Sequence, residues 1–407
     1  MSRANERPAP IRTDHSNVFA NNTMRVRLPA IIDEVEALNP DYPPDIKRRL
    51  RQLRKDIAIG ALIGEIELAP AEDSVEWAEA LRRQRETIGA EPTWHSAEWF
   101  FAETYAYRCL IEAVRWRESG RDPFRPKKLE ELHSDALWQL IERSYEPLNS
   151  WEAELNRSLA FDLWANRIDL SYAASKERGT IISADDLLVD DREALAAYLR
   201  ETQLSPEGVQ GRKPVFIVAD NAGSELAMDL VLSETLLRHV TPQVMLCLKA
   251  HPTFVSDATP QDLWMILKEM EARGPKAAAL AEQLRRRWLS GQLRFLPHAY
   301  WNSSRFLWDL PADLGRQLNE ARLVIVKGDA NYRRTVGDCI WPAHTPFNGV
   351  VDYLNAPVLS LRTLKSDPIV GLPSAEAAQQ LDRADPNWRV NGKRGLIQFK
   401  SQTSKSQ

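Results

Sequence analysis

The sequence predicts an α/β protein, in which a mostly parallel three-layer α/β/α sheet domain follows an all-helical N-terminal domain. Three observations predict this class. From about residue 207 onward, short apolar runs alternate with helical patterns, as they do in parallel sheets with right-handed crossovers. The first half instead shows amphipathic helical patterns, punctuated by prolines and rich in tryptophan. A chain of 407 residues is long enough for both parts.

These patterns divide the chain into four parts. We expect a flexible N-terminus at residues 1–20, a helical domain at 21–185, an α/β domain at 186–399 and a disordered tail at 400–407. The helices predicted for the first half are residues 33–38, 45–60, 74–87, 96–118 and 129–146.

In the second half, apolar runs of four to six residues predict buried strands. The last of them is expected to be antiparallel and to lie at an edge of the sheet. The predicted strands are residues 215–219, 243–248, 293–296, 322–326, 357–361 and 395–399. The predicted helices between them are residues 224–238, 260–272, 276–289 and 312–320.

Composition excludes several classes of function. A net charge of −4 gives no general attraction to nucleic acid or to anionic membranes. No apolar stretch approaches the 18 or so residues of a membrane-spanning helix. The three cysteines are far apart and have neither disulfide-framework nor zinc spacing, which favours a reducing, cytoplasmic location. No pattern predicts an oligomeric state.

The transition from strand to helix at residues 215–225 is the most informative segment. Its apolar run ends abruptly in Asp220 and Asn221, and Gly223 then allows a tight turn into a helix. Open α/β sheets bind ligands at the carboxyl ends of their strands. Carboxylate and amide oxygens there suit Mg²⁺ or Mn²⁺. The alternative is that Asp220 only caps the helix.

Two further strand ends carry the same kind of residue. Asp257 follows the run at 243–250, which ends with Lys249 nearby, and Asp329 follows the run at 321–326, next to Lys327. If the strands are parallel neighbours, these acids converge with Asp220 on one edge of the sheet. Acids and lysines together suit a metal ion and a phosphate group. The alternative is a set of helix caps and surface loops.

The chain carries five motifs in order: Leu-Trp-Ala-Asn-Arg-Ile-Asp-Leu-Ser at 163–171, Asp-Asn-Ala-Gly-Ser-Glu at 220–225, Ser-Asp at 256–257, Lys-Gly-Asp-Ala-Asn-Tyr-Arg at 327–333 and Arg-Thr-Leu-Lys at 362–365. In this order they resemble the damage-control phosphatase family, and the resemblance runs from about residue 27 to residue 399. The last motif is similar to the Arg-Thr-x-Lys signature of that family's third subfamily, which includes the acidic-residue methyltransferase-like proteins.

The resemblance implies a metal-dependent phosphatase for small sugar phosphates such as fructose-1-phosphate. It implies that Asp220, Asn221 and Asp257 bind the metal, which is Mg²⁺, Mn²⁺, Co²⁺ or Ni²⁺, and that Arg362 and Lys365 of the Arg-Thr-x-Lys motif bind substrate. The residues expected to bind substrate are Asp220, Asn221, Lys327, Asp329, Arg362, Thr363, Lys365 and, reaching the same phosphate, Lys393. Glu225, Arg108, Asn166 and Asp169 are further candidates.

The attacking group stays open between two possibilities. Asp220 is either a nucleophile that forms a phospho-aspartate or a metal ligand while water attacks in line, with Asp220 or Asp257 taking the proton. Residue 222 is Ala, so the chain lacks the Asp-x-Asp of haloacid-dehalogenase phosphatases, which favours water.

Two other functions compete with hydrolysis. One is an S-adenosylmethionine-dependent protein carboxyl methyltransferase, although the turn after the first strand is a poor match to a Gly-x-Gly cofactor loop. The other is a non-catalytic sugar-phosphate-binding protein.

Overall fold

A computed structural model gives the structure of this protein. It describes residues 7–66, 71–175, 186–204 and 213–401, and the side chains of 166–175 and 203–204 are not described. The predicted tail therefore lies almost entirely outside the described residues. Residues 1–20 were expected to be flexible, but Ile11 and Thr13 are buried. Their backbone N–H groups donate to the carbonyls of Asp338 (2.8 Å) and Ala97 (3.0 Å).

Helices dominate the first part of the described chain. The predicted helices there are confirmed, although two of them are each divided into two. A π-helical turn at Thr23–Arg27 links the first two helices. The helices are α1 (Val18–Asn22), α2 (Leu28–Leu38), α3 (Pro44–Ile59), α4 (Ser74–Ile88), α5 (Trp99–Ala113), α6 (Trp116–Ser119), α7 (Arg125–Leu132), α8 (Asp135–Ser144) and α9 (Trp151–Ser175).

Strands and helices alternate in the second part, and all six predicted strands are confirmed. The strands are β1 (Leu187–Asp190), β2 (Val215–Val218), β3 (Val244–Lys249), β4 (Leu293–His298), β5 (Leu323–Lys327), β6 (Val358–Thr363) and β7 (Gly395–Lys400). The helices are α10 (Arg192–Leu204), α11 (Ser224–His239), α12 (Pro260–Ala272), α13 (Pro275–Leu289), α14 (Ala312–Asn319), α15 (Gly328–Val336), α16 (Phe347–Val350) and α17 (Ala375–Ala384).

Within the described residues, the strands form one sheet in the order β1-β7-β6-β5-β2-β3-β4. Strands β6, β5, β2, β3 and β4 are parallel, and β7 is antiparallel to β6 as expected. The prediction that β7 lies at an edge is wrong, because β1 pairs outside it. The sequence did not indicate β1, which has four residues and is only half-buried.

Alternate side chains of the central strands face two different cores, as a three-layer sandwich requires. Val215 and Ile217 of β2 pack in the core beneath α8, α9, α11, α12 and α13. Phe216 and Val218 pack in the core on the opposite face, beneath α14, α15 and α16. The three-layer α/β/α class is therefore confirmed.

A third core is formed by side chains of α2, α3, α4 and α5. The predicted division at residue 185 stays a prediction, but the described side chains of α8 and α9 do not pack in this third core. Leu159 and Trp164 of α9 lie instead in the core that contains Val215 and Ile217 of the sheet. None of the described helices is both long and apolar enough to cross a lipid bilayer.

Candidate active site at the carboxyl edge of the sheet

The strand order reverses between β2 and β5. The chain runs outward from β2 through β3 to β4, then returns to β5 on the other side of β2 and continues to β6. A crevice forms at such a switch point, outside the carboxyl ends of the strands, and ligands bind there. Asp220 follows β2 and Gly328 follows β5, so both lie at this crevice.

Backbone hydrogen bonds join the loop after β2 to the loop after β3. The carbonyl of Asp220 accepts from Ala258 N at 2.8 Å, and Ala222 N donates to the carbonyl of Ser256 at 2.6 Å. Asn221 and Asp257 form an antiparallel bridge between these contacts. The three predicted metal ligands, Asp220, Asn221 and Asp257, are thus brought together.

Two buried carboxylates dominate the electrostatics of this site. Burial raises the pKa of Asp220 well above its usual range, and the charges of Glu225 and Asp257 raise it further, while Lys365 and Lys249 oppose them. Burial also raises the pKa of Asp257, against the opposing charge of Lys249, whose Nζ lies 3.1 Å from Asp257 Oδ2. An added cation beside the two carboxylates would favour their charged forms.

The donor atoms fit a hard divalent cation. Asp220, Asn221 and Asp257 offer carboxylate and amide oxygens, and the repulsion between the two acids would be relieved by a cation. No group of three or more His, Cys, Asp or Glu side chains in the described chain could hold a metal by itself. The amide oxygen and water or substrate oxygens would therefore complete the coordination shell.

The orientation of the Asn221 amide follows its hydrogen bonds. Its nitrogen donates to Asp220 Oδ2 (3.0 Å) and to Glu225 Oε1 (2.8 Å), and its oxygen accepts from Ser256 Oγ (2.6 Å). A rotation of the amide by 180° would turn the oxygen toward the Asp220 carboxylate. Ser256 could then accept from the amide nitrogen, because a hydroxyl both donates and accepts.

The start of α15 lies directly against Asp220. Gly328 has φ of 80°, and a Cβ atom built there would overlap the Asp220 carboxylate. Only glycine permits this approach. The first backbone N–H groups of α15 are thereby brought to the crevice, where the positive end of a helix favours an anion.

Lys327 and Asn331 have buried partners. Lys327 Nζ donates to Asp162 of α9 and, at 2.9 Å, to Asp229 of α11. Asn331 Nδ2 donates to the carbonyls of Ala219 (3.0 Å) and Lys327 (2.9 Å), so it joins the ends of β2 and β5. In this arrangement the Lys327 ammonium neutralises acids behind the site.

Arg362 is completely buried, and most of its N–H groups have partners. Nε donates to Asp329 Oδ1 at 2.8 Å, Nη1 to the carbonyl of Pro368, and Nη2 to the carbonyl (2.8 Å) and hydroxyl (3.1 Å) of Ser366. Its guanidinium also lies 4.2 Å from the ring centre of Tyr332. The expected fork to substrate oxygens is not available in this arrangement, because the guanidinium holds the loop that follows β6.

Asp329 helps Arg362 to hold the loop that follows β6. Burial would raise its pKa, but Arg362, the Ser366 hydroxyl and the Lys365 backbone N–H outweigh burial and lower it. The N–H of Lys365 is 3.0 Å from Asp329 Oδ1. Asp329 therefore accepts hydrogen bonds from the chain rather than facing the substrate.

Lys365 is exposed, and its charge acts on Asp220. Thr363 ends β6 and is largely buried, opposite Gly395 of β7. Lys393 is exposed in the turn before β7, where Gly392 N donates to the carbonyl of Leu364 at 2.8 Å. The two lysines therefore flank one rim of the crevice.

Two residues near this site were not predicted from the sequence, Lys128 and Glu131 of α7. Lys128 lies four residues before Leu132, on the buried stripe of the helix, and this spacing was the signal that could have revealed it. Of the other candidates, Arg108 is paired with Asp73 at 2.8 Å and Glu112 at 2.7 Å. The side chains of Asn166 and Asp169 lie outside the described residues.

The fold and the site define an α/β protein with an acid-lined crevice at a sheet switch point. The family described as the damage-control phosphatase ARMT1-like domain matches residues 23–381. The chain belongs to this family, and membership assigns it to the phosphatases.

Individual relatives agree with this assignment. Damage-control phosphatase ARMT1 of Danio rerio is 29% identical over 97% of both chains. The protein of that name from Rattus norvegicus is 32% identical over 79% of both, and that from Xenopus laevis is 31% identical over 80% of both. Among solved structures, a DUF89 family protein from Pyrococcus horikoshii aligns with a TM-score of 0.49 and 15% identity, covering 94% of this chain and 97% of that one.

Proposed function

We propose that this protein is a divalent-metal-dependent phosphatase that hydrolyses small sugar-phosphate monoesters of the fructose-1-phosphate type. The observation that carries the proposal is the convergence of Asp220, Asn221 and Asp257 beside the start of α15 and the exposed Lys365. Oxygen donors for a cation thus adjoin donors for a phosphate. Such a pairing suits phosphoryl transfer, in which catalysis is mostly positioning and charge stabilisation.

Asp220, Asn221 and Asp257 would hold the cation, whether Mg²⁺, Mn²⁺, Co²⁺ or Ni²⁺. Once bound, a divalent cation polarises the phosphoryl group and lowers the pKa of a bound water. Lys249 stays beside Asp257 and fixes the rotamer of that carboxylate through the 3.1 Å ion pair. Ser256 donates to the Asn221 oxygen in this structure and would accept from the amide nitrogen once the amide rotates to offer its oxygen to the cation.

The phosphate of the substrate would lie between α15 and the rim lysines. Backbone N–H groups at the start of α15 orient its oxygens. Lys365 supplies a mobile positive charge, and Lys393 reaches the same group from the neighbouring turn. Lys327, Asp329 and Arg362 support this surface from behind through the contacts described above, and Thr363 ends the strand that carries it.

Attack by water is the mechanism that we favour, with Asp220 or Asp257 accepting its proton. The alternative is a phospho-aspartate on Asp220. The two are distinguished by acid quenching during turnover of a phosphate-labelled substrate. A label on the protein that hydroxylamine releases, and that Asp220→Asn abolishes, would establish the phospho-aspartate.

A methyltransferase activity is disfavoured by the first turn of α11. Its N–H group at Ser224 donates to Glu131 Oε1 at 2.7 Å, and the Glu131 carboxylate packs against Gly223. A dinucleotide-type cofactor loop needs that helix start for its own anionic group. Here a carboxylate of the chain already occupies it.

The partner that we propose is a small phosphorylated metabolite rather than nucleic acid or a membrane. We also propose a cytoplasmic location. Its support is the chemistry of the cysteines, since Cys109, Cys247 and Cys339 are free thiols and disulfides are rare in reducing compartments.

Phosphate release from a panel of sugar phosphates tests the proposed function. Each ester is incubated with Mg²⁺, Mn²⁺, Co²⁺ or Ni²⁺, or with chelator, using wild type, Asp257→Asn and the control Asp313→Asn, whose acid is exposed on α14. We expect release that requires metal, is lost in Asp257→Asn and survives in Asp313→Asn. Release that persists in chelator, or that Asp257→Asn retains in full, would contradict the proposal.

A further inference from the structure

Helix α7 contacts both loops that carry the proposed metal ligands. Lys128 and Glu131, three residues apart, lie on one face of this helix. Lys128 reaches the loop after β3, and Glu131 reaches the turn after β2. Burying a lysine costs free energy unless its ammonium group is fully paired, so the partners of Lys128 indicate what it does in the fold.

Lys128 uses all three of its N–H donors. Its Nζ donates to the backbone carbonyl of Asp257 at 3.0 Å, to Asp122 Oδ2 at 2.9 Å and to Asp262 Oδ2 at 2.8 Å. The side chain is 3% exposed. Asp262 also caps α12 by accepting from the backbone of Thr259. Lys128 thus ties the Asp257 backbone to α7 and α12.

Glu131 holds the other loop. Its Oε1 accepts from Ser224 N at 2.7 Å, at the first residue of α11. Gly223 has φ of 64°, and a Cβ atom there would overlap the Glu131 carboxylate. Glycine at this position therefore lets the carboxylate reach the helix start, two residues beyond Ala222 and three beyond Asn221.

We propose that Lys128 and Glu131 form a clamp that sets the separation of the two metal-binding loops, and that both are positioning residues for the metal site. The inference rests on the proposed function. Residues around a metal site that orient its ligands commonly change metal affinity by 10- to 100-fold when they are replaced. Because the clamp acts on backbone positions, it should affect the affinity for metal before any substrate binds.

The test is the Kd for Mn²⁺, measured without substrate by titration and by the electron paramagnetic resonance signal of free Mn²⁺. The variants are Lys128→Met, Glu131→Ala and Glu131→Gln. Lys127→Met and Glu130→Ala are matched controls, since both residues are exposed on the same helix. We expect Lys128→Met and Glu131→Ala to raise the Kd about 10-fold or more. Both controls should leave it unchanged.

Glu131→Gln separates positioning from charge, because its amide oxygen can still accept from Ser224 N. We expect it to restore the wild-type Kd within about twofold, which a general loss of stability would not do. Lys128→Met leaves buried acids without their cation, so its folding is checked by circular dichroism. If Lys128→Met does not fold, the comparison of Glu131→Ala with Glu131→Gln decides the result.

An unchanged Kd in folded Glu131→Ala would overturn the clamp while leaving the phosphatase proposal intact. Conversely, wild-type protein that binds Mn²⁺ but releases no phosphate from any ester would overturn the proposed function. The Kd values of the variants for Mn²⁺ would still show whether Lys128 and Glu131 position the metal-binding loops. Wild-type protein that binds none of Mg²⁺, Mn²⁺, Co²⁺ and Ni²⁺ would overturn both.

Discussion

Two cations near the end of β6 are in opposite environments. Arg362 is fully buried and bonded to Asp329, Ser366 and Pro368, whereas Lys365 is exposed and its charge acts on Asp220. Burial commits the guanidinium to shaping the loop. Exposure leaves the ammonium able to meet a ligand, as a compact point charge on a flexible stem.

Alanine substitutions should separate these two roles. Arg362→Ala should lower the free energy of unfolding by about 3 kcal/mol, because it leaves Asp329 buried without its cation. Lys365→Ala should leave stability within about 0.5 kcal/mol of wild type and lower kcat/KM at least about tenfold through lost phosphate binding. Urea unfolding measures the change in stability, and steady-state kinetics measures the change in kcat/KM.

Lys268→Ala is the control for a surface lysine, since Lys268 is exposed on α12 away from the crevice. It should change neither quantity. If Arg362→Ala proved as stable as wild type and raised KM alone, Arg362 would be a direct substrate ligand, as its sequence motif implies.

The helix α15 brings its first turn to the site because of one glycine. Gly328 adopts φ of 80°, which L side chains rarely tolerate, and it touches the Asp220 carboxylate. The element that follows carries Asp329, Asn331 and Tyr332, all of which contact neighbouring strands or loops. The position of this whole helix therefore depends on the fit at its first residue.

Gly328→Ala should disturb that fit. The added methyl group would be strained by the backbone and would displace Asp220, so we expect a loss of about 2 kcal/mol of stability. We also expect a loss of at least about 100-fold in kcat, since misplacement of a reacting group by about 1 Å has effects of this size. Thermal unfolding and phosphate release measure these losses.

The matched control is Gly349→Ala in α16. Apart from its chain neighbours and the backbone of its own helix, a methyl group added to that glycine would meet no described heavy atom within 4 Å, and its φ is not positive. The variant should keep wild-type activity and stability. Full activity in Gly328→Ala would show that the contact with Asp220 does not matter for turnover.

A buried ion-pair network joins the helical part to the sheet. Arg333 of α15 donates to Glu103 of α5 at 2.6 Å and to both carboxylate oxygens of Asp338, at 2.7 and 3.0 Å. Its guanidinium also lies 3.6 Å from the ring centre of Trp99. Since α5 lies in the helical core and α15 starts at the crevice, this network links the two parts of the molecule.

Glu103→Ala should therefore destabilise the whole molecule rather than one part. We expect the free energy of unfolding to fall by about 2 kcal/mol. This is less than for a buried charge without any partner, because Arg333 retains its ion pair with Asp338. Tryptophans lie in both parts of the chain, so their fluorescence should show a single transition in wild type, and this transition should coincide with the loss of activity.

Glu79→Ala provides the comparison, since its partner Arg83 and the pair itself are exposed on α4. It should change stability by less than about 0.5 kcal/mol. Separate fluorescence and activity transitions in wild type would show instead that the two parts unfold independently.

The sequence by itself determined the fold class, the six strands that were predicted and the edge where Asp220, Asn221 and Asp257 meet. Hydrophobic periodicity carries this information locally, and the carboxyl ends of parallel strands share one edge. The five sequence motifs indicated, in addition, that the protein belongs to the damage-control phosphatases. Each of these features is recognised from a short segment of the chain, such as an apolar run and the polar residues directly after it.

Only the tertiary structure decided which charged residues are committed to one another. Arg362 is a predicted phosphate ligand in its motif, yet it holds Asp329 from 33 residues away in the chain, and Lys128 reaches Asp257 across 129 residues. The strand β1 was likewise recognisable only by its pairing with β7. A buried charge takes whichever partner the packing brings within reach, and no local pattern records that choice.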